Sequence, residues 1–432
     1  MYRFFRTTLF PLFLMISCSC SVLIFWHINT QMQGSLINFF NALIQNGIGN
    51  TIRAVWGPVL FGTKTAWEII FTFMALQLLL MRVVPAKVVT GPLTPKGNTP
   101  VYKDNGFRCF IITLILFFMG DFFSLFSPTI LYDNFAGILG ALNIFSLCFC
   151  LILYLKGRFK PSSTDNSTTG NFIFDYYWGT ELYPRIFGWD VKQFTNCRFG
   201  MMSWPIIILS FAAKQAETTG LTNSMCISVA IMLVYIAKFF WWESGYLRSI
   251  DIMHDRAGFY ICWGCLVWVP GVYTMPVAYL VQHPLNFAPL TAIAILLLGV
   301  IAVVLNYLAD AQRQKVRATQ GNCKIWGKAP KLIHARYKNQ HGEDKESLLL
   351  VSGWWSISRH FHYLLEIALA FFWTLPALFS SFLPWFYVIF LTILLIHRSY
   401  RDEKRCSDKY GPYWKQYCDA VPDKMIPWGK LF

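Results

Sequence analysis

Apolar residues do not alternate with polar ones along this chain; they come in blocks. Runs of about 20 predominantly apolar residues match the length of a helix that crosses a bilayer. Such runs lie near 8–27, 66–82, 109–126, 135–155, 201–216, 221–241, 258–281, 286–307, 361–378 and 383–397. The pattern predicts an all-α polytopic membrane protein with about ten transmembrane helices. The first run follows Arg3 and Arg6, as in a signal peptide. It is long for a cleaved signal and no clear small-x-small site follows it, so an uncleaved first helix is expected.

The segments between the blocks are uneven. Residues 156–200 begin polar ("KPSSTDNSTTGN") and become aromatic ("FIFDYYWGTELYPRIFGWD"). A disordered linker lacks such aromatics, so the second half is predicted to fold against the membrane domain. Residues 308–360 and 397–432 are basic and aromatic and flank a short helical hairpin, the ninth and tenth runs. That hairpin presents two polar segments to one side, which is where a polar cofactor is expected. No internal repeat or low-complexity tract is present.

Composition agrees with the pattern. The chain is 55% hydrophobic and 14% charged, against about 25% charged in a soluble domain. Its net charge of +15 is unevenly distributed. Arg53, Lys64 and Lys214 fall toward odd-numbered loops, and Lys238 lies inside a run. The other Lys and Arg sit at the N-terminus, in the even loops and at the C-terminus. This asymmetry follows the positive-inside rule and puts both termini in the cytoplasm. The charge thus requires no nucleic acid partner; it orients the chain and attracts anionic membrane lipid. On that topology the Asn166-Ser167-Thr168 sequon faces the cytoplasm and stays unglycosylated. The pairs Cys262/Cys265, Cys148/Cys150 and Cys18/Cys20 lie in apolar runs without clustered His or acidic residues. They read as membrane packing, and no metal is expected. Nothing in the sequence sets an oligomeric state.

Four segments carry candidate chemistry. In 309–331, Arg313 and Arg317 are four apart and share a helical face, with Lys315 beside them. Two guanidiniums so placed can grip phosphate, although orientation charge alone accounts for this segment at least as well. In 352–366, Trp354 and Trp355 can stack on a flat ring, and Arg359, His360, His362 and Tyr363 offer donors. An interfacial aromatic belt explains the Trp and Tyr but has less need of Arg359 and two His. In 398–417, Asp402 and Glu403 lie among cations, followed by Tyr410, Tyr413 and Tyr417. These acids can hold a ribose or carry a proton, or simply belong to a solvated tail. In 237–260, Lys238, Glu243, Asp251, His254, Asp255 and Arg256 interrupt an apolar region. Ionisable groups at membrane depth line cavities or pair with one another. Asp251, His254 and Asp255 have the spacing of one helical face, and Arg256 and Lys238 are available as ion-pair partners. A proton-donating pocket fits this set better than a metal site. Together the segments point to reduction of a lipid by a nicotinamide nucleotide, held outside any Rossmann domain because no GxGxxG follows a strand.

Motifs along nearly the whole chain then carry a resemblance: "GNTPVYKDNG" (97–106), "WGTELYPRI" (178–186), "FTNCRFGMMSW" (194–204), "LSFAAKQ" (209–215), "FFWWESGY" (239–246), "DIMHDRAGFYICWGCLVWVP" (251–270), "LLVSGWWSISRHFHY" (349–363) and "RDEKRCSDKYGPYWKQYC" (401–418). In this order they resemble the sterol reductase family, and within it the 7-dehydrocholesterol (sterol Δ7) reductases, including those of plants. The resemblance implies a single membrane domain over 1–432. Its parts would be N-terminal helices and a loop in 1–200, sterol-cavity helices in 201–307 and an NADPH-binding part in 308–432. It also implies ten transmembrane helices, with the nucleotide pocket on the cytoplasmic side and a sterol cavity open to the bilayer. By motif, the nucleotide contacts would be Arg313, Arg317, Leu350, Trp355, His362, Tyr363, Asp402, Cys406, Ser407, Asp408, Lys409, Tyr410 and Tyr417. Relatives commonly have Asn where His362 stands, and Gly and Ala near Ser356 and Ser358.

The implied reaction is NADPH-dependent reduction of the C7=C8 bond of Δ5,7-sterols drawn from the bilayer. The catalytic candidates are Tyr246 and Asp255 as proton donors, with Asp402 as a relay. Glu243, Asp251, His254 and Arg359 would line or tune the pocket. The alternatives are Δ14 reduction within the same family, a shorter isoprenylcysteine-type methyltransferase plan, and a non-catalytic sterol binder. The host membrane would be the endoplasmic reticulum in a eukaryote or the inner membrane in a bacterium.

Overall fold

The computed structural model describes residues 4–94, 96–338 and 342–427; Arg3 lies outside them. The chain packs as two compact units, Met1–Phe287 with Pro376–Trp385, and Ala288–Leu375 with Phe386–Phe432.

Among the described residues, seven helices are long and apolar enough to cross a membrane: Phe5–Gln31, Lys64–Val83, Phe135–Phe159, Asn223–Trp241, Phe259–Gln282, Pro289–Ala318 and Leu383–Tyr410. They cover seven of the predicted runs. The other three runs are also helical but shorter or more polar: Gly106–Phe122, Met201–Thr218 and Phe361–Ala377. The loop after the first run contains helix that the block pattern missed, Leu36–Trp56, kinked at Gly47 where φ is +74°. Ile37, Phe40, Ile44, Ile48 and Ile52 are exposed along it. Asn and Gly interrupt its sequence, so it does not read as a block. Among the described residues, three two-stranded antiparallel ribbons depart from the all-α expectation: Lys87–Thr90 with Val101–Asp104, Arg185–Ile186 with Trp189–Asp190, and Leu332–Lys338 with Asp344–Leu350.

In the first unit, apolar helices are tied together by a few buried polar side chains. In lipid, packing and interhelical hydrogen bonds do the work that hydrophobic burial does in water. Asn143 donates to the Ser19 carbonyl (2.7 Å) and accepts from the Trp263 indole (2.8 Å). Gln77 donates to Thr113 (2.9 Å), and Gln215 to the Leu280 carbonyl (2.6 Å). The first helix packs into this unit through Trp26, whose ring lies against Phe135 and Phe211. The helix entrances are capped as their sequences specify. Thr63 accepts from the Ala66 amide and Thr222 from the Met225 amide. Besides the short Phe5–Leu9 turn, two longer stretches of the described residues wind as wide π-helix, Gln193–Gly200 and Phe259–Tyr273, a geometry enriched at functional sites. Gly200 lets them approach: a Cβ there would stand 2.7 Å from the Cys265 carbonyl oxygen.

The second unit is built on the Pro289–Ala318 and Phe361–Thr374 helices, the Leu332–Lys338/Asp344–Leu350 ribbon, and the end of the Leu383–Tyr410 helix with Pro412–Ala420. Alternation along the second strand serves two clusters. Leu348 and Leu350 pack with Val316, Ile325 and Trp355, while Leu349 packs with Tyr410, Trp414 and Tyr417.

Candidate functional site

Each unit holds one group of candidate residues. In the first unit the polar segment Glu243–Ala257 has little regular structure: Glu243–Tyr246 and Ile250–Met253 form single helical turns. Its conformation is imposed from outside. Arg198 is fully buried and binds Glu243 through both terminal guanidinium nitrogens, Nη2 at 3.0 Å, and Nη2 also reaches the Asn105 side-chain oxygen at 2.7 Å. Glu243 also accepts from the Gly106 amide (2.8 Å). The counterion of Glu243 is thus Arg198, a residue from the FTNCRFG stretch rather than Lys238 or Arg256. Arg256 donates instead to the Thr180 carbonyl.

Further along, Lys192 is fully buried and donates to the carbonyls of Ile252 (2.7 Å) and Asp255 (2.6 Å). Burial pushes its ammonium down to about 8. Between these anchors, Asn196 donates from its side-chain amide to the Tyr246 hydroxyl oxygen at 3.0 Å. Tyr246 is half-buried against the Phe239 ring and beside Tyr102, Tyr183 and Leu247. The helix ends at Met253, so Asp251, His254 and Asp255 do not form the single face that their spacing predicted. His254 is exposed, Asp251 half-buried and Asp255 buried. Sequence reasoning missed Lys192, Asn196 and Arg198. The available signal was a lysine, an asparagine and an arginine within seven residues that run directly into an apolar helix.

In the second unit, Arg313 lies over the Trp355 ring, 4.2 Å from its centroid, and pairs with Asp310 (3.2 Å). Trp355 is fixed in turn: its indole N–H donates to the Ala309 carbonyl at 2.7 Å. Gly353 makes the turn possible with φ +66°; a Cβ there would stand 2.3 Å from the Gln312 side-chain oxygen, which accepts from the Trp354 amide. Trp355, His362 and Tyr363 continue as a ring series, with centroids 5.0 and 4.2 Å apart. Asn306 donates to the His362 carbonyl (3.0 Å), and Leu350 packs beside Trp355. Arg317 is exposed four residues beyond Arg313 on the same helix.

The remaining sequence candidates divide. Tyr410 and Tyr417 are buried in the second cluster with Cys406 against them, and burial raises the Tyr417 hydroxyl well above the usual tyrosine value. Ser407, Asp408 and Lys409 are exposed, with Lys409 over the Tyr337 ring at 4.3 Å. Asp402 pairs with Arg405 (2.7 Å). Arg359 is engaged structurally. It donates to Glu403 (2.6 Å) and to the carbonyls of Val421 (2.7 Å) and Pro422 (2.8 Å). The guanidiniums, flat aromatic faces and hydroxyls of this unit have the chemistry that a phosphorylated nicotinamide dinucleotide requires. Among the described residues no group of three His, Cys, Asp or Glu is arranged to hold a metal ion.

Comparison with known proteins extends the resemblance. Residues 2–429 match the ergosterol biosynthesis ERG4/ERG24 family. The chain is 49% identical to the 7-dehydrocholesterol reductase of Arabidopsis thaliana, covering 96% of this chain and 95% of that one. It is 41% identical to the 7-dehydrocholesterol reductase of Xenopus laevis, covering 83% and 77%. It is 35% identical to the Delta(14)-sterol reductase of Methylotuvimicrobium alcaliphilum, covering 96% and 93%.

Proposed function

We propose an activity from one premise: the chain belongs to the ergosterol biosynthesis ERG4/ERG24 family of membrane-embedded sterol reductases. The reading is NADPH-dependent reduction of the C7=C8 bond of Δ5,7-sterols, 7-dehydrocholesterol to cholesterol or an equivalent pair. The observation that carries it is the higher identity to relatives named 7-dehydrocholesterol reductase than to those named Delta(14)-sterol reductase.

Arg313 and Arg317 would hold the phosphates. Trp355, His362, Tyr363 and Leu350 would hold the flat rings, with Asp402, the run Cys406 to Tyr410, and Tyr417 completing the cradle. When bound, the nucleotide supplies hydride. A carbon–carbon double bond with no activating carbonyl accepts hydride only as it gains a proton, so the chain has to supply an acid. Tyr246 is the better supported donor because its phenol oxygen is held by Asn196. Asp255 is buried beneath its clamp with Lys192 and stands second. Glu243 would set the turn that carries Tyr246; Asp251 and His254 would adjoin the sterol, and Asp402 would relay protons. Both termini are assigned to the cytoplasmic side from the charge asymmetry.

The test is purified protein with NADPH and 7-dehydrocholesterol, following loss of the conjugated-diene absorbance and the product mass. Cholesterol formation supports the reading, and Tyr246→Phe should then lower turnover sharply while NADPH still binds. Turnover of a Δ14 sterol alone would support the second reading, favoured by the relative of that name. Absence of NADPH binding would leave a non-catalytic sterol binder.

A further inference from the structure

Residues 192–198 bond to the Glu243–Ala257 segment through Lys192, Asn196 and Arg198, and the Asn196 bond reaches a phenol. Lys192 fixes the backbone at Ile252 and Asp255, and Arg198 fixes Glu243. Asn196, four residues after Lys192 and two before Arg198, is almost fully buried and donates its side-chain N–H to the Tyr246 oxygen at 3.0 Å. Its position is therefore set from both sides by buried cations. Tyr246 itself is confined by Phe239, whose ring centroid is 4.9 Å away.

We infer that Asn196 is a positioning residue for proton delivery to the sterol double bond: it fixes the Tyr246 phenol and stabilises the phenolate left when the proton departs. This rests on the reading of Tyr246 as the donor. In the step, the Tyr246 O–H bond breaks and a C–H bond forms at one carbon of the alkene, whose π electrons make that bond. The neighbouring carbon, now cationic, would receive hydride with its electron pair from the bound nucleotide, which would supply both and be oxidised. The phenolate recovers a proton from water. An N–H already aimed at the phenol oxygen strengthens as charge builds there, so it acts on the transition state more than on the bound substrate. Hydrogen bonding to the charged form also makes the phenol a stronger acid.

A hydrogen bond to a charged group contributes about 1.5–3 kcal/mol. Asn196→Ala should therefore lower kcat roughly 10- to 100-fold with little change in KM for sterol or NADPH. It should also enlarge the solvent isotope effect. Two further measurements separate positioning from folding. Fluorotyrosine placed at position 246 gives a 19F resonance that Asn196→Ala should shift in the full-length protein without substrate, and Asn196→Gln should shift less. Because a fluorinated phenol is more acidic, it should also restore part of the kcat lost in Asn196→Ala. An unchanged 19F resonance, or normal kcat in folded Asn196→Ala, would overturn the inference. If Tyr246→Phe retains full activity, the donor assignment fails instead, and the 19F contact persists. If Asn196→Ala does not fold, the Asn196→Gln resonance and kcat decide.

Discussion

Arg198 and Glu243 form a fully buried ion pair that joins the start of one apolar helix to the turn carrying Tyr246. Removing one member leaves the other charged and without its counterion, which costs about 3–5 kcal/mol in comparable cases. Arg198→Met and Glu243→Gln should each lower the melting temperature clearly. The double variant Arg198→Met/Glu243→Leu should recover much of the loss, because no lone charge remains. Additive losses in the double variant would mean that the pair is not coupled.

Arg313 is held flat on Trp355, whose indole is bonded to the Ala309 carbonyl. The stack sets where the guanidinium points, so on the proposed function it is pre-aimed for a phosphate. Arg313→Ala should raise KM for NADPH by roughly tenfold or more, the value of one charge-assisted bond, with kcat little changed. Arg313→Lys should not rescue it, since an ammonium lacks the planar fork. Trp355→Phe, which keeps the ring but loses the N–H, should fall between wild type and Arg313→Ala. Steady-state kinetics with varied NADPH checks all three.

The helices were legible because burial in lipid imposes long apolar blocks, and ten such blocks appear as helices. The Leu36–Trp56 helix was not, because Asn41, Gln45, Asn46 and Gly47 break its run. Residue types in the second unit were likewise readable: Arg313, Trp355, His362 and Tyr363 lie close in sequence and meet in a ring series. The Glu243–Ala257 segment was only half legible. Its acids were visible, but the Glu243 partner Arg198 and the backbone anchor Lys192 lie 45 and more residues earlier, and a regular helical face was assumed where the helix stops at Met253. Periodicity reports a face only where the backbone is regular; Lys192 and Arg198 override it here.

Lys192 provides a pH-dependent check on that override. Its folded value is pushed down to about 8 by burial, whereas a lysine in the unfolded chain titrates near 10.4. Between those values the unfolded chain binds a proton that the folded chain has released. Stability from this group therefore rises with pH through that window, and is lost as pH falls toward 8. Below 8 the term is constant. Melting curves of wild type and Lys192→Met at several values between pH 7 and 10 should diverge, with wild type gaining at the alkaline end. Parallel curves would mean that Lys192 stays charged throughout.

The chain end after Pro412–Ala420 is stitched back onto the residues that open the Phe361–Thr374 helix. Arg359 donates from its backbone to the Asp423 carbonyl (3.0 Å), His360 to Lys424 (2.8 Å), and the Ser358 hydroxyl to Met425 (2.8 Å). The Arg359 side chain adds Val421 and Pro422 and is anchored by Glu403. These bonds fix residues directly preceding His362 and Tyr363, so the strap and the ring series share one backbone. Ser358→Ala removes a neutral bond and should cost about 1 kcal/mol. Glu403→Gln leaves the nearly buried Arg359 guanidinium without its counterion and should cost more. Ending the chain after Ala420 removes every strap bond at once. It should raise KM for NADPH severalfold through loss of the His362–Tyr363 geometry, as well as lowering stability. Equal KM in the shortened and full chains, measured below the melting point of both, would separate the strap from the nucleotide site.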